Sequence, residues 1–518
     1  MKNYRLPLLI IVLLVITAVI GCKPGTPSTF SLPRSTPEAE GLSSEELITF
    51  LDSAAVSSHE FHSIMIVRHG KVIAEGWWDP YSEELRHTLY STSKSFTSTA
   101  VGFAVNEKLL TVNDRVVSFF PDQLPDTVSP FLSEMTVKDL LTMSAGQSPD
   151  PTGTITSSSK EWVRSFLALP VLKEPGTEFL YNSMATFMLS AIVQKVTGEK
   201  IAGYLRPRLF EPLGIEGYDW EESPEGVNSG GWGLRVKTED MAKFGLLYLQ
   251  KGMWNGKQII PASWIEEATT FKIDQAPDAT AEVKEKSDWM QGYCYQFWRS
   301  RYNTYRADGA FGQYIIVMPE KDAVVAITAE SPDMQDEINM VWKYILPAMK
   351  EEALPVNGEA AGRLKERLAS LALPKPEKKH EPAMVSSLSG KIFRLEENNQ
   401  NIESIALLFR GDTCRLSLAT GDHSYKIPFG RGEWVTSETD LSGPSLIRRP
   451  ETMSLNRVEG SYGWKDEGTL ELFLRYIESP HHFKITCSFN GDTVVVQSRL
   501  SIPPGYDLKP INGFWKSN

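Results

Sequence analysis

Ser91 and Lys94 lie three residues apart in Leu89-Tyr90-Ser91-Thr92-Ser93-Lys94-Ser95-Phe96-Thr97-Ser98. If a helix begins at Ser91, that spacing sets the amine beside the hydroxyl on one face. The helix N-terminus adds free N–H groups and the positive end of a dipole. An amine whose pKa is lowered by desolvation can accept the serine proton and make the oxygen nucleophilic. The plain alternative is a polar helix start. Spacing alone is a weak signal, because roughly two chance matches are expected in 518 residues. Ser157 and Lys160 are a second match, in a hydroxyl-rich stretch read as a loop and as a decoy. No Gly-x-Ser-x-Gly elbow and no His-Glu-x-x-His motif competes with Ser91.

The elements that must position Ser91 follow from periodicity. Ser43 or Ser44, followed by Glu45 and Glu46, caps an amphipathic helix. Residues 63–67 form a strand, and His69-Gly70 turns it back into 71–75. From 91 to 107 the apolar period is helical, with Phe96, Ala100, Val101, Ala104 and Val105 on one face. Further helices are expected at 137–143, 159–167, 183–197 and 238–250, and strands at 292–299, 314–318 and 323–328. Strands at both ends with helices between them imply an antiparallel sheet flanked by helices, an α+β fold. Residues 351–384 are rich in Glu, Lys, Ala and Pro and read as a short helix and then a linker. Beyond it, β-rich runs at 405–409, 414–418, 470–476, 483–489 and 493–497 alternate with turns such as Asn490-Gly491-Asp492. Residues 385–518 are therefore expected to form a separate antiparallel β-barrel or sandwich, and removal of everything after Leu373 to leave a foldable remainder. Arg410-Gly411-Asp412 reads as a hairpin turn. His481 and His482 should point to opposite faces of a strand, which argues against a metal site there.

Four motifs in the expected order resemble the class C β-lactamase-like serine hydrolases. That superfamily includes class C β-lactamases, DD-peptidases, β-lactamase-fold esterases and 6-aminohexanoate-dimer hydrolases. The stretch around Ser91 is similar to the active-site helix. Thr136-Val137-Lys138-Asp139-Leu140-Leu141-Thr142-Met143-Ser144-Ala145-Gly146 is similar to a second conserved helix. Pro175-Gly176-Thr177-Glu178-Phe179-Leu180-Tyr181-Asn182-Ser183 is similar to the second catalytic motif. Trp254-Asn255-Gly256-Lys257-Gln258-Ile259-Ile260-Pro261 is similar to a family surface turn. The resemblance spans roughly 40–345. It implies a β-lactamase/DD-peptidase-like sheet flanked by helices, with Ser91 as nucleophile, Lys94 as its proton partner and Tyr181 as a candidate general base and later acid. Which of the last two carries the proton at each step stays open, since they titrate as a coupled pair.

Two departures bear on substrate. Ser183 stands where the family has Asn. Ala307-Asp308-Gly309 stands where it has Lys or His, then Thr or Ser, then Gly. The cation that would meet a β-lactam or peptide carboxylate is therefore missing at Ala307. Strand alternation puts Arg306 on the opposite face, and Asp308, if it faced the cleft, would repel an anion. Gly309-Ala310-Phe311-Gly312-Gln313-Tyr314 resembles a variant found among the hydrolases, and the backbone N–H groups of Ser91 and Ala310 would form the oxyanion hole. Ser183, Gly309 and Gln313 are expected to support the site or touch substrate. Trp77, Trp78, Trp232 and Trp298 line an apolar cleft or pack in the core, and His87 is read as structural.

Composition bounds the rest. A 41% hydrophobic, 23% charged chain is globular, and a net charge of −12 argues against nucleic acid as a partner. Lys2 and Arg5 precede an apolar run over 6–20 that ends in Val19-Ile20-Gly21-Cys22. This resembles a bacterial lipobox, so 1–22 is read as a lipoprotein signal peptide with lipidation at Cys22. Residues 23–37 read as a tether. The anchor implies the bacterial cell envelope, on a periplasmic or extracellular face. Cys294, Cys414 and Cys487 show no metal spacing, and the last two could pair. The sequence thus reads as a lipid-anchored serine hydrolase (38–350) that cleaves an ester or amide through an acyl-enzyme, with no cofactor and no metal. The rivals are a β-lactamase or D-amino-acid peptidase, and an envelope binding protein with a vestigial hydrolase part.

Overall fold

The computed structural model describes residues 31–421, 423–447, 455–502 and 506–515. The expected signal peptide and Cys22 lie outside the described residues. Among those described, no helix is long and apolar enough to cross a membrane.

Strands β1 (Glu60–Arg68), β2 (Lys71–Trp77), β3 (Trp298–Ser300), β4 (Thr304–Gly309), β5 (Gln313–Met318) and β6 (Ala323–Glu330) form one antiparallel sheet in the order β2-β1-β6-β5-β4-β3. The N-terminal hairpin thus pairs with the last strand of the fold, as Ile64 does with Ile327. Both faces are covered, which is why β1, β5 and β6 are buried along nearly their whole length rather than at alternate residues. One face packs on helices α2 (Ser93–Asn106) and α5 (Thr238–Leu249), and behind α2 lies α4 (Ser183–Thr197), packed in turn on α3 (Val137–Leu141). The other face carries α1 (Ser44–Ala55), capped by Ser43, and α6 (Gly358–Ala369).

Three expectations change here. The segment expected as a strand over 292–299 is strand only from Trp298 to Ser300, because Tyr293 makes isolated bridges to Ile273 and Trp298 instead of a ladder. Ser157 lies in a helix, Thr152–Ser158, not a loop. Ser91 lies in a 3-10 turn, Tyr90–Thr92, immediately ahead of α2.

The C-terminal part is a closed barrel. Nine strands run from Ile392–Leu395 through Ser404–Arg410, Thr413–Thr420, His423–Arg431, Asn456–Trp464, Thr469–Tyr476, His482–Asn490 and Thr493–Leu500 to Ile511–Trp515. A parallel contact of Gly430 and Arg431 with Ser461 and Tyr462 closes the ring. Arg410-Gly411-Asp412 and Asn490-Gly491-Asp492 are its hairpin turns, with Gly411 and Gly491 at φ +56° and +57°. Cys414 and Cys487 are both free thiols in its interior, so the pairing held open for them is not made.

A charged seam joins barrel and sheet. Arg475 spans both oxygens of Glu60. Glu478 takes Arg86 at 3.0 Å and Arg235 at 3.0 Å. Tyr81 donates to the Ser479 carbonyl at 2.9 Å. Arg475, Glu478 and Ser479 are buried. Removing one partner of a buried pair costs about 3–5 kcal/mol, against a usual total stability of about 5–15 kcal/mol. The seam argues against the expectation that the hydrolase part stands alone. A chain ending at Leu373 leaves Glu60, Arg86 and Arg235 without these partners, and it is expected to be insoluble or to melt far below the full chain. A soluble fragment with a cooperative melt near that of the full chain would show the seam to be dispensable.

Candidate active site

The nucleophile turn is held from both sides. Tyr90 has φ +47°, a strained setting for a bulky residue that costs about 1–3 kcal/mol. Its hydroxyl bonds His481 Nε2, and its ring meets Phe311 at 5.6 Å. His481 is fully buried, with Nδ1 2.6 Å from Glu330 Oε1. A barrel residue thus supports the residue next to Ser91, a contact no local pattern signals, since Tyr90 and His481 are 391 positions apart. The hydroxyls around Lys94 tie α2 to its surroundings. Thr92 donates to the Gln313 carbonyl at 2.8 Å, Ser95 to that of Gln296 at 2.7 Å, and Thr97 to that of Gly230 at 2.9 Å.

Lys94 is buried, and its Nζ reaches three oxygens: Gly231 O at 2.7 Å, Ser183 Oγ at 2.8 Å and Ser91 Oγ at 3.4 Å. Burial pushes its pKa down to about 7, against the opposing pull of Asp150 and Asp308. Neutral, the amine can donate two hydrogens, to Gly231 O and Ser183 Oγ, and keep its lone pair for the Ser91 hydroxyl. Ser183 is long enough for this task despite standing where the family has Asn.

Tyr181 lies beside the amine, its ring centroid 5.0 Å from Lys94 Nζ. Burial, aided by the nearby Asp308 charge, holds its phenol above the ordinary range and therefore protonated. Asn182 caps α4 by accepting from Met184 and Ala185 N–H, which fixes the chain on which Tyr181 and Ser183 stand. Trp298 stacks on Tyr181 at 5.5 Å and 24°. Of the four tryptophans singled out, it is the one whose ring meets Tyr181. Trp78 stacks on Phe61 in the opposite core layer, Trp232 meets Trp162 at 5.8 Å, and Trp77 packs half-buried against the other core.

The turn after β4 comes up against Ser91. A Cβ on Gly309 would lie 2.1 Å from the Leu89 carbonyl, so only glycine lets β4 approach. Gly312, at φ +91°, would meet Glu337 at 1.9 Å. Gln313 is fully buried and clamps the turn, donating to Ala310 O at 3.0 Å and Ala329 O at 2.7 Å. It is a positioning residue and is not open to substrate.

Two readings are corrected. Asp308 is not a bare charge in the cleft, although it still acts on Lys94 and Tyr181. It is buried, and its Oδ2 is held by Arg306 at 2.8–2.9 Å, on the sheet face opposite Ala307. Burial raises the Asp308 carboxyl while Arg306 draws it down. His481 and His482 do not diverge either. His481 precedes the strand, so both rings turn to Glu330, with His482 Nδ1 at 3.3 Å from Oε2. Glu60, Glu330 and His482 come close enough together to hold a metal ion. Their charge is already met, however: Arg475 covers both oxygens of Glu60, and the two histidines approach Glu330. His87 bonds His62 at 3.1 Å and the Thr88 carbonyl at 3.0 Å, and burial holds it well below its ordinary pKa, as a neutral structural residue.

Comparison with known proteins places these elements in one family. The family model described as Beta-lactamase matches residues 62–348. The chain is similar to the 6-aminohexanoate-dimer hydrolase of Paenarthrobacter ureafaciens, 23% identical over 291 residues, which is 52% of this chain and 73% of that protein. Among solved structures it is similar to a Bacillus anthracis protein provisionally named a 6-aminohexanoate-dimer hydrolase, with 20% identity, a TM-score of 0.52 and coverage of 63% of this chain and 89% of that one. It is also similar to the octameric penicillin-binding protein homologue of Pyrococcus abyssi, with 17% identity, a TM-score of 0.47 and coverage of 90% and 99%.

Proposed function

Because this chain belongs to the beta-lactamase family, whose fold serves hydrolases, we propose that it is a serine hydrolase cleaving a neutral ester or amide through an acyl-enzyme on Ser91. The observation that carries the reading is Lys94: a buried amine near pKa 7 with two acceptors for its hydrogens and its remaining direction toward Ser91 Oγ. The 3.4 Å separation is one that tightens when substrate binds.

In this scheme the Ser91 proton passes to Lys94 as Oγ bonds the carbonyl carbon. The oxyanion is met by the N–H groups of Ser91 and Ala310. On collapse the bond to the leaving group breaks. Tyr181 gives that group its proton and is reprotonated from Lys94. Water then repeats the sequence on the acyl-enzyme and returns Ser91 to its free form.

Substrate class follows from Ala307. It is buried in the core layer on which α2 packs and offers no donor side chain to a carboxylate. A charge-assisted bond to such a group contributes about 1.5–3 kcal/mol, roughly ten- to a hundredfold in rate. Neutral short-chain esters are therefore expected to compete with a fluorophosphonate for Ser91 far better than a penicillin or a D-Ala peptide does. Ala307→Lys should move the preference toward carboxylate-bearing substrates. Fast turnover of penicillin by the unaltered protein would replace this reading with a β-lactamase, and absence of any labelling would favour a binding protein.

A further inference from the structure

The barrel is closed at one end and hollow at the other. At the closed end Phe393, Phe409, Trp464 and Phe489 form a plug, with ring centroids 5.7–6.2 Å apart in successive pairs. At the other end lies a cavity of about 620 Å³, within the roughly 300–1,000 Å³ usual for small-molecule sites. Its wall is made by Leu416, Leu418, Ile485, Val496 and Leu500, from strands whose alternate residues point inward.

The chemistry of the lining selects the occupant. No described residue that lines the cavity is charged. A carboxylate or ammonium buried there would lose its hydration without compensation. Polar groups occur as amides and hydroxyls, among them Gln400, Tyr425 and Ser498. Gln400 Nε2 is buried and has no hydrogen-bond partner among the described residues. It is a donor awaiting a neutral acceptor such as an ester or amide carbonyl.

We propose that the barrel is a binding site for one single-chain apolar molecule with a neutral carbonyl head, of the kind of a fatty acyl ester, its chain in the cavity and its carbonyl on Gln400. The head lies at the rim and the chain runs toward the aromatic plug. Leu500 lines both this cavity and a second one, of about 340 Å³, whose far wall includes Phe311 and Glu330 of the catalytic part. The site thus adjoins the seam, one cavity away from the turn that carries Ala310. Binding does not require the hydrolase reading to hold, although that reading would make such a molecule a reservoir of substrate.

The test uses the full chain carrying Ser91→Ala, so that no ester is consumed. The neutral fluorophore N-phenyl-1-naphthylamine is titrated in and then displaced with methyl laurate, laurate or butyl acetate. The expected result is one site per chain. Methyl laurate should displace the probe at a concentration an order of magnitude or more below that needed for laurate at pH 8, and butyl acetate should not displace it. Val496→Trp and Leu418→Phe each fill the cavity, and whichever melts as the parent does should lose probe binding. Gln400→Leu should keep the probe but bring methyl laurate closer to dodecane in affinity. Absence of binding, or binding that survives the filled cavity, would overturn the site, and laurate binding as tightly as its ester would overturn the neutral head. Fluorophosphonate labelling of the chain with Ser91 intact reads the hydrolase separately, so either idea can fail without the other.

Discussion

Ser91→Ala is expected to abolish acylation and lower hydrolysis by roughly 10⁴-fold or more, while Ser157→Ala leaves the rate within about twofold. Both serines have a lysine three residues on, so the contrast tests environment rather than pattern. Ser91 is half-buried beside an amine that burial holds near pKa 7, with the Tyr181 ring against that amine. Ser157 is exposed on a short helix, its hydroxyl donates to the Thr154 carbonyl at 3.2 Å, and Lys160 is exposed beyond the helix end. Intact-protein mass spectrometry after fluorophosphonate treatment, followed by peptide mapping, reads the result. A label on the peptide holding Ser157, or undiminished labelling of Ser91→Ala, would reverse the assignment.

The second large effect is expected at Lys94 and Tyr181. Lys94→Ala and Tyr181→Phe should each lower the rate by roughly 10²–10⁴-fold, and the double variant should fall little further than the worse single one, because the groups work as a unit with Ser91. Additive losses would show that they share no proton path. The pH profile carries the sign. Lys94 acts as a neutral amine, so the rate should rise as pH passes through about 7 and level off above it. A limb that falls through the same range would require a protonated group instead. The same burial has a cost in stability. Below its ordinary pKa of 10.5 the unfolded chain holds a proton that the folded one resists, so the penalty grows as pH drops toward about 7 and is constant below that. Lys94→Met is therefore expected to be inactive yet to melt higher than the parent at pH 7, with the gap closing at high pH.

The barrel's part in the site is the feature that most changes the initial reading. Tyr90 is held at an unfavourable φ by groups from two distant places, Phe311 in the turn after β4 and His481 from the barrel. Strain of this kind persists only where the surroundings over-determine it. The seam of Arg475, Glu478 and His481 does so here, and it explains why a segment that looks in sequence like a detachable module is expected to matter to folding.

What the sequence determined by itself is what short-range chemistry determines. The Ser91–Lys94 pair, the Thr136–Asp139 capping box, the hairpins at His69-Gly70 and Asn490-Gly491-Asp492 and the helix that starts at Ser183, just after Tyr181, each depend on neighbours within a few residues. Local spacing, caps and turn residues specify such features directly. Even the order of motifs that placed the chain in its family is a linear property. Tertiary structure alone decided the rest, because those features join residues far apart in the chain. It set Lys94 against Gly231, 137 positions away, and with that burial lowered the amine. It paired Asp308 with Arg306, so a carboxylate that could have stood bare is half of a buried ion pair. It turned His481 and His482 onto one carboxylate, since a strand's alternation begins only where the strand does. It also closed nine strands through the contact of Gly430 with Ser461, and only closure makes a cavity out of alternating leucines, isoleucines and valines.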